Sequence, residues 1–137
     1  FHRALGEIMI SKCGISRNRN DLKSALEEVE ILSNNFYSNL KIPETNSDLN
    51  VELEKALRLE DFIELSVLMI KDAIEREESC GAHFREEYQT TEGEAKRNDD
   101  LFSHIAVWKF NSENNSHIRF SEDLNFKKIS LNTRNYK

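Results

Sequence analysis

Residues 76–100 read REESCGAHFREEYQTTEGEAKRNDD, and the chain changes character across this stretch. A helical pattern stops within it on Gly81, after which Arg, His and carboxylates crowd together too densely for an ordinary linker. Upstream the apolar residues recur at helical spacing; downstream they alternate as in a strand. The stretch is the expected hinge between the two.

Working upstream, Leu5, Ile8, Met9 and Cys13 fall at helical spacing, and Gly14 stands where a helix C-terminus favours glycine. Residues 15–19 read as a polar turn. Asn20 is the expected N-cap of a second helix, with Asp21 in its first turn. Leu22, Ala25, Leu26, Val29, Leu32 and Phe36 form that helix's buried stripe, and Lys23, Glu27, Glu28 and Glu30 lie on its wet side. The chain's single proline, Pro43, closes the helix's territory, and Ser47 or Asn46 is the expected cap of a third. Leu49, Leu53, Ala56, Leu57, Glu60, Ile63, Val67 and Ile70 follow one face of the third helix. From Phe62 onward Leu65, Leu68 and Met69 add a second apolar face. A helix apolar on two sides is packed on two sides, which asks for more neighbouring surface than a three-helix bundle supplies.

Downstream, Ile105, Val107 and Lys109 alternate with Ala106, Trp108 and Phe110. After the polar turn Asn111 to Ser116, residues 117–120 repeat the pattern. The expected element is a β-hairpin with a longer loop, which is marginal in water unless it packs on something. The end of the chain carries Lys127, Lys128, Arg134 and Lys137 and no acid. The predicted fold class is mostly α: a three-helix bundle of spectrin-repeat-like kind with a long third helix, then a short β-hairpin and an extended C-terminal tail. A single domain over residues 1–137 is expected, with the bundle in 1–81, a charged loop in 82–100 and the β-containing tail in 101–137.

Composition narrows the function. With 137 residues, 38% hydrophobic and 32% charged, the chain reads as soluble and globular, and lean in core. A net charge of −6 argues against nucleic acid as the main partner. The best apolar run, from Phe62 to Ile74, is interrupted by Glu64, Lys71 and Asp72, so no direct membrane span is expected. The opening Phe1-His2-Arg3-Ala4 has neither an initiator Met nor a signal peptide, and a piece of a larger protein is expected. Cys13 and Cys80 are too few for a disulfide scaffold and read as small buried hydrophobes.

Chemical motifs are sparse: there is no glycine-rich phosphate loop, no nucleophile elbow, and no His pair at helical ligand spacing. Neither catalytic, cofactor-binding nor metal-ligating residues are assigned. His83 with Arg85 is the sharpest functional candidate. A His just past a helix C-terminus is more easily protonated, although Glu86 and Glu87 beside it fit an internal ion-pair cluster equally. A structural or interface role is preferred to a catalytic one. Asp99 and Asp100 look like half a metal site, but neighbouring Arg97 favours salt bridging.

Residues 76–86, Arg-Glu-Glu-Ser-Cys-Gly-Ala-His-Phe-Arg-Glu, resemble the R-x-E-S-[RC]-G-x-H-x-R-[DE] signature of succinate dehydrogenase and fumarate reductase flavoprotein subunits, in their C-terminal domain. Residues 91–95, Thr-Glu-Gly-Glu-Ala, match a P-E-G-E-A element with Thr91 in place of proline, and Asp99-Asp100 match a following D-D. Phe1-His2 through Cys13-Gly14 resembles the family's opening helix, and Arg134-Asn135-Tyr136 its R-x-Y ending. L-aspartate oxidase and adenylylsulfate reductase share the wider superfamily, and a free-standing helical interaction module is the alternative outside it. The resemblance implies a domain, inactive alone, of a flavoprotein that interconverts succinate and fumarate. FAD would lie in the full-length protein and not in this fragment. The implied partners are the FAD-binding domain of the same polypeptide and an iron–sulfur subunit, in the cytoplasm at the inner face of the membrane. Arg76, Ser79, His83 and Arg85 match signature positions and are the implied domain-interface residues; if His83 and Arg85 face an absent domain, those two are expected to be partly exposed in this chain.

Overall fold

The computed structural model describes residues 1–45 and 49–132. Its element order is α1 (His2–Lys12), β1 (Ser16–Arg17), α2 (Arg19–Asn39), α3 (Val51–Glu75), β2 (Phe84–Arg85), α4 (Asp99–Phe102), β3 (His104–Asn111) and β4 (Ser116–Asp123). The mostly helical architecture with a terminal hairpin agrees with the sequence pattern.

Asparagines start both long helices. Asn18, not Asn20, caps α2, its side-chain oxygen accepting from the Asp21 N–H at 2.8 Å. Asn50 caps α3, accepting from Glu52 N and Leu53 N at 3.1 Å each; the expected caps Asn46 and Ser47 lie outside the described residues. Glu52 and Glu54 in the first turn complement the positive end of the α3 dipole. At the end of α1, Gly14 serves close packing: a Cβ there would lie 2.7 Å from the Ile10 carbonyl oxygen.

The core lies where α1, α2 and α3 meet. Leu22, Ala25, Val29 and Phe36 of α2 are buried against Leu59, Ile63, Ile70 and Ala73 of α3, with Leu5 and Cys13 closing one end. The α2 stripe matches the sequence reading. On α3 the reading is corrected: Leu49, Leu53 and Leu57 are exposed, and the buried line runs Ala56, Leu59, Ile63, Ser66, Ile70, Ala73. Leu57 sits one step off that line, and two helices cannot cover both sides of a third. Glu28 is also not simply wet, since it joins α1 to α2 by pairing with Lys12 and accepting from Ser24 Oγ.

β3 and β4 pair antiparallel, with Val107 opposite Phe120 and Trp108 opposite Arg119. Both strands outrun their sequence-read ends. The hairpin meets α3 through long polar side chains: Arg119 Nε donates to Asp72 at 3.0 Å, and His117 Nε2 to Glu64 at 2.8 Å. Among the described residues no helix is long and apolar enough to cross a membrane.

The burial pattern sets a stability contrast. Ile70→Ala, at a fully buried site, is expected to cost about 2–5 kcal/mol. Leu57→Ala, on the exposed side, should stay within about 0.5 kcal/mol. Urea melts of both variants check this, and equal midpoints would show the buried line misassigned.

Candidate functional site

The sequence hinge folds into a clasp that grips the C-terminal end of α3. The helix ends at Glu75, with Arg76 as its C-cap in extended conformation, so Gly81 does not stop it. Gly81 (φ +58°) instead occupies the first central position of a tight turn, where Cys80 N donates to His83 O at 2.8 Å and His83 N to Cys80 O at 3.1 Å. Positive φ at that position is what glycine supplies. The chain then runs as β2 alongside β1 in a two-residue parallel pair, Ser16 opposite Phe84 and Arg17 opposite Arg85.

Arg85 is the centre of the clasp and is 1% exposed. Its Nη1 donates to the Ala73 carbonyl at 2.7 Å, with longer contacts to Ile74 O and Arg76 O at 3.4 and 3.5 Å. These are the carbonyls a helix C-terminus leaves unsatisfied. The last turn of α3 contains no basic residue, so Arg85 provides both the missing donors and the positive charge. Its Nε donates to Glu87 at 3.1 Å, and its guanidinium lies 5.5 Å from the centre of the Tyr88 ring. On the other edge of β2, the fully buried Ser79 hydroxyl replaces a strand: it accepts from Arg85 N at 2.7 Å and donates to Arg85 O at 3.0 Å.

His83 is buried beside this centre. Its Nε2 lies 2.9 Å from the Arg76 carbonyl, and its Nδ1 lies 2.8 Å from Arg17 Nη1. A carbonyl accepts and a guanidinium donates, so the ring is held as the neutral Nε2–H tautomer. Burial pushes its pKa down; the Arg76 carbonyl opposes this, and Arg17, Arg76 and Arg85 add to the lowering. The helix-end carbonyl contact is therefore present, but burial outweighs the dipole effect and the expectation of easier protonation is overturned.

The expected partial exposure of His83 and Arg85 is overturned too. Ser79, His83 and Arg85 are buried within this chain, and Arg76 is half-buried. They form an internal network, the cluster that Glu86 and Glu87 hinted at. Arg97 pairs with Asp99 at 2.6 Å, as the sequence reading preferred. Cys13 is buried, which pushes its thiol up, with Arg17 opposing; Cys80 is half-buried.

Two members of the network were not singled out in the sequence. Glu78 is almost fully buried, accepting from Arg76 at 2.6 Å and from Asn98 N at 2.7 Å. Arg17, in a segment read as a turn, reaches both His83 and the Gly14 carbonyl. The available signal for Glu78 was its place as the acid of the R-x-E-S signature; Arg17 had none. Among the described residues no three His, Cys, Asp or Glu converge as metal ligands.

The family model for the fumarate reductase flavoprotein C-terminus matches residues 2–136. The chain is 38% identical over 93 residues to one of the subunits of the CoM/CoB fumarate reductase of Methanothermobacter marburgensis, covering 68% of this chain and 17% of that protein. It is 31% identical over 136 residues to the fumarate reductase flavoprotein subunit of Helicobacter pylori, covering 95% of this chain and 18% of that protein. In fold it is similar to FrdA of E. coli quinol fumarate reductase, with a TM-score of 0.77 and 23% identity over 93% of this chain and 21% of that one. The chain thus spans about a fifth of the length of these relatives.

Two outcomes follow for the clasp. Arg85→Ala should destabilise this chain on its own, each buried carbonyl left without a donor costing about 1–3 kcal/mol. Arg85→Lys should recover part of that loss, and a denaturant series on both variants reads it; an unchanged Arg85→Ala midpoint would remove Arg85 from the centre of the clasp. The second outcome concerns pH. His83 titrates below its ordinary value of 6.5 in the folded chain, so the unfolded chain binds more protons as pH falls. Its contribution is complete above about pH 6.5 and is lost as pH falls through the folded pKa. The melting temperature should therefore decline on acidification less steeply in His83→Gln than in the parent, and parallel curves would contradict the neutral assignment.

Proposed function

The chain belongs to the fumarate reductase flavoprotein C-terminal family, and we propose that it serves as the domain packed against the flavin-binding part of a longer succinate dehydrogenase or fumarate reductase flavoprotein subunit. The observation that carries this reading is the pairing of two lengths. The family model runs from residue 2 to 136, while the relatives are some five times longer than the matched segment.

In this reading FAD is held by the rest of the polypeptide. The N-termini of α2 and α3 do not suit a dinucleotide: they are closed by Asn18 and Asn50, and their first turns carry Asp21, Glu52 and Glu54. Those carboxylates would repel a pyrophosphate where a helix N-terminus otherwise attracts one. One of the relatives is named a FAD-dependent oxidoreductase, which supports the cofactor assignment. Flavin bound by the longer protein supplies the hydride chemistry that interconverts succinate and fumarate, with electrons exchanged with an iron–sulfur subunit. Such an assembly places the domain at the cytoplasmic face of a membrane through its partner subunits.

Ser79, His83 and Arg85 then act at the domain interface indirectly. They fix the clasp, and the clasp presents its outer surface to the neighbouring domain.

Calorimetry on two proteins tests the reading. The full-length polypeptide should carry bound FAD and reduce fumarate with a reduced viologen dye. The 137-residue chain alone should give no saturable heat with FAD or with succinate. Saturable micromolar binding of either by the chain alone would overturn the assignment.

A further inference from the structure

Apolar exposure on α3 is not scattered. Phe62, Leu65 and Met69 succeed each other at helical steps on one side of its middle, and they are 54%, 53% and 53% exposed. Single exposed apolar residues are ordinary, whereas a contiguous row marks an interaction surface. The row runs into a cleft of about 390 Å3 between α3, the clasp and the hairpin, whose apolar lining includes Leu65, Leu68, Met69 and Ala106.

The cleft also has a cationic wall. Arg17 and Arg76 line it, and each keeps one guanidinium nitrogen, Nη2 of Arg17 and Nη1 of Arg76, without a partner among the described residues. Asp72, the acid that lines the same cleft, is taken by Arg119. Trp108 of the hairpin lines it too, and its buried Nε1–H has no acceptor among the described residues. Buried donors are normally satisfied, and a guanidinium meets a carboxylate best. An apolar row ending on the buried Trp108 N–H and on two solvent-facing guanidinium nitrogens fits an occupant that is apolar along its length and carries a carboxylate at one end.

Resting on the functional reading above, we propose that this face is the seat for the flavin-binding part of the same polypeptide, which inserts an apolar segment bearing an Asp or Glu. The matched segment covers 17% of one relative's length, so in such a protein the surface most abundantly at hand is the rest of the polypeptide. Its effective concentration is high because it is tethered. A second copy of this chain is a poor occupant, because a self-complementary pairing would put the same cationic patch on both sides of the interface.

The test places a charge on the face and a control charge elsewhere. Leu65→Glu is compared with Ile31→Glu, which alters a comparably exposed apolar residue on α2. In the full-length protein Leu65→Glu should weaken flavin retention by about tenfold or more, the effect of losing one good anchor, while Ile31→Glu leaves it unchanged. In the 137-residue chain neither should shift the melting temperature appreciably. A photo-crosslinker replacing Met69 should capture the flavin-binding part of the same polypeptide. Full flavin retention in Leu65→Glu, or capture of a different polypeptide or of a second copy, would overturn the proposal and leave the functional reading intact. A full-length parent without bound flavin would instead overturn that reading, and this proposal with it.

Discussion

The guanidinium of Arg85 lies against the terminal carbonyls of α3, and the middle of the chain is arranged to keep it there. α3 is 25 residues long and ends without a basic residue in its last turn, so its carbonyl end needs donors from elsewhere. Arg85 returns to it after the turn at Gly81. A charge cannot be taken from water cheaply. Here the cost is offset by the carbonyl dipoles, by Glu87 and by the Tyr88 ring. The Ser79 hydroxyl satisfies the Arg85 backbone on one edge, and β1 pairs with β2 on the other. Through β1 the clasp also fixes the segment between α1 and α2. One buried side chain thus ties the end of α3 to the start of α2.

That network explains why His83 stays neutral. Three guanidiniums surround it, and its two ring nitrogens are committed, one to a carbonyl and one to Arg17. Protonating the ring would turn the Arg17 contact from a hydrogen bond into a repulsion. The clasp is therefore an arrangement with fixed proton positions, which suits a structural joint better than an acid–base catalyst.

Much of this was legible in the sequence, and the failures have identifiable causes. The stripe Leu22, Ala25, Val29, Phe36 read correctly because α2 has core on one side only. On α3 the abundance of leucines hid the phase: Leu57 and Leu59 are both plausible core residues by type, and packing alone selects Leu59. Asn18 and Asn20 are chemically identical caps, so composition could not choose between them. The parallel pair of β1 with β2 is two residues long and joins segments separated by two helices, which leaves no periodicity to detect. Arg85 was singled out in the sequence, but its burial was not foreseen: a run of Arg and Glu looks solvated until the helix end it caps is in view.

The hairpin differs in kind from the bundle and clasp. Its outer side carries Ile105, Val107, Ile118 and Phe120, all substantially exposed. Its inner side reaches α3 mainly at the tips of Arg119 and His117, and partly exposed ion pairs of this sort contribute little, about 0–1 kcal/mol each. The Trp108 N–H beneath it has no acceptor among the described residues, where burial in a finished core would have supplied one. A two-stranded sheet needs a packed face for its stability, and here neither face is fully packed. The bundle, by contrast, has fully buried residues in Leu22, Val29 and Ile70, and the clasp has them in Ser79 and Arg85. The chain is thus closely packed at the end of α3 and open at its hairpin, and the exposed row of α3 opens on that same side.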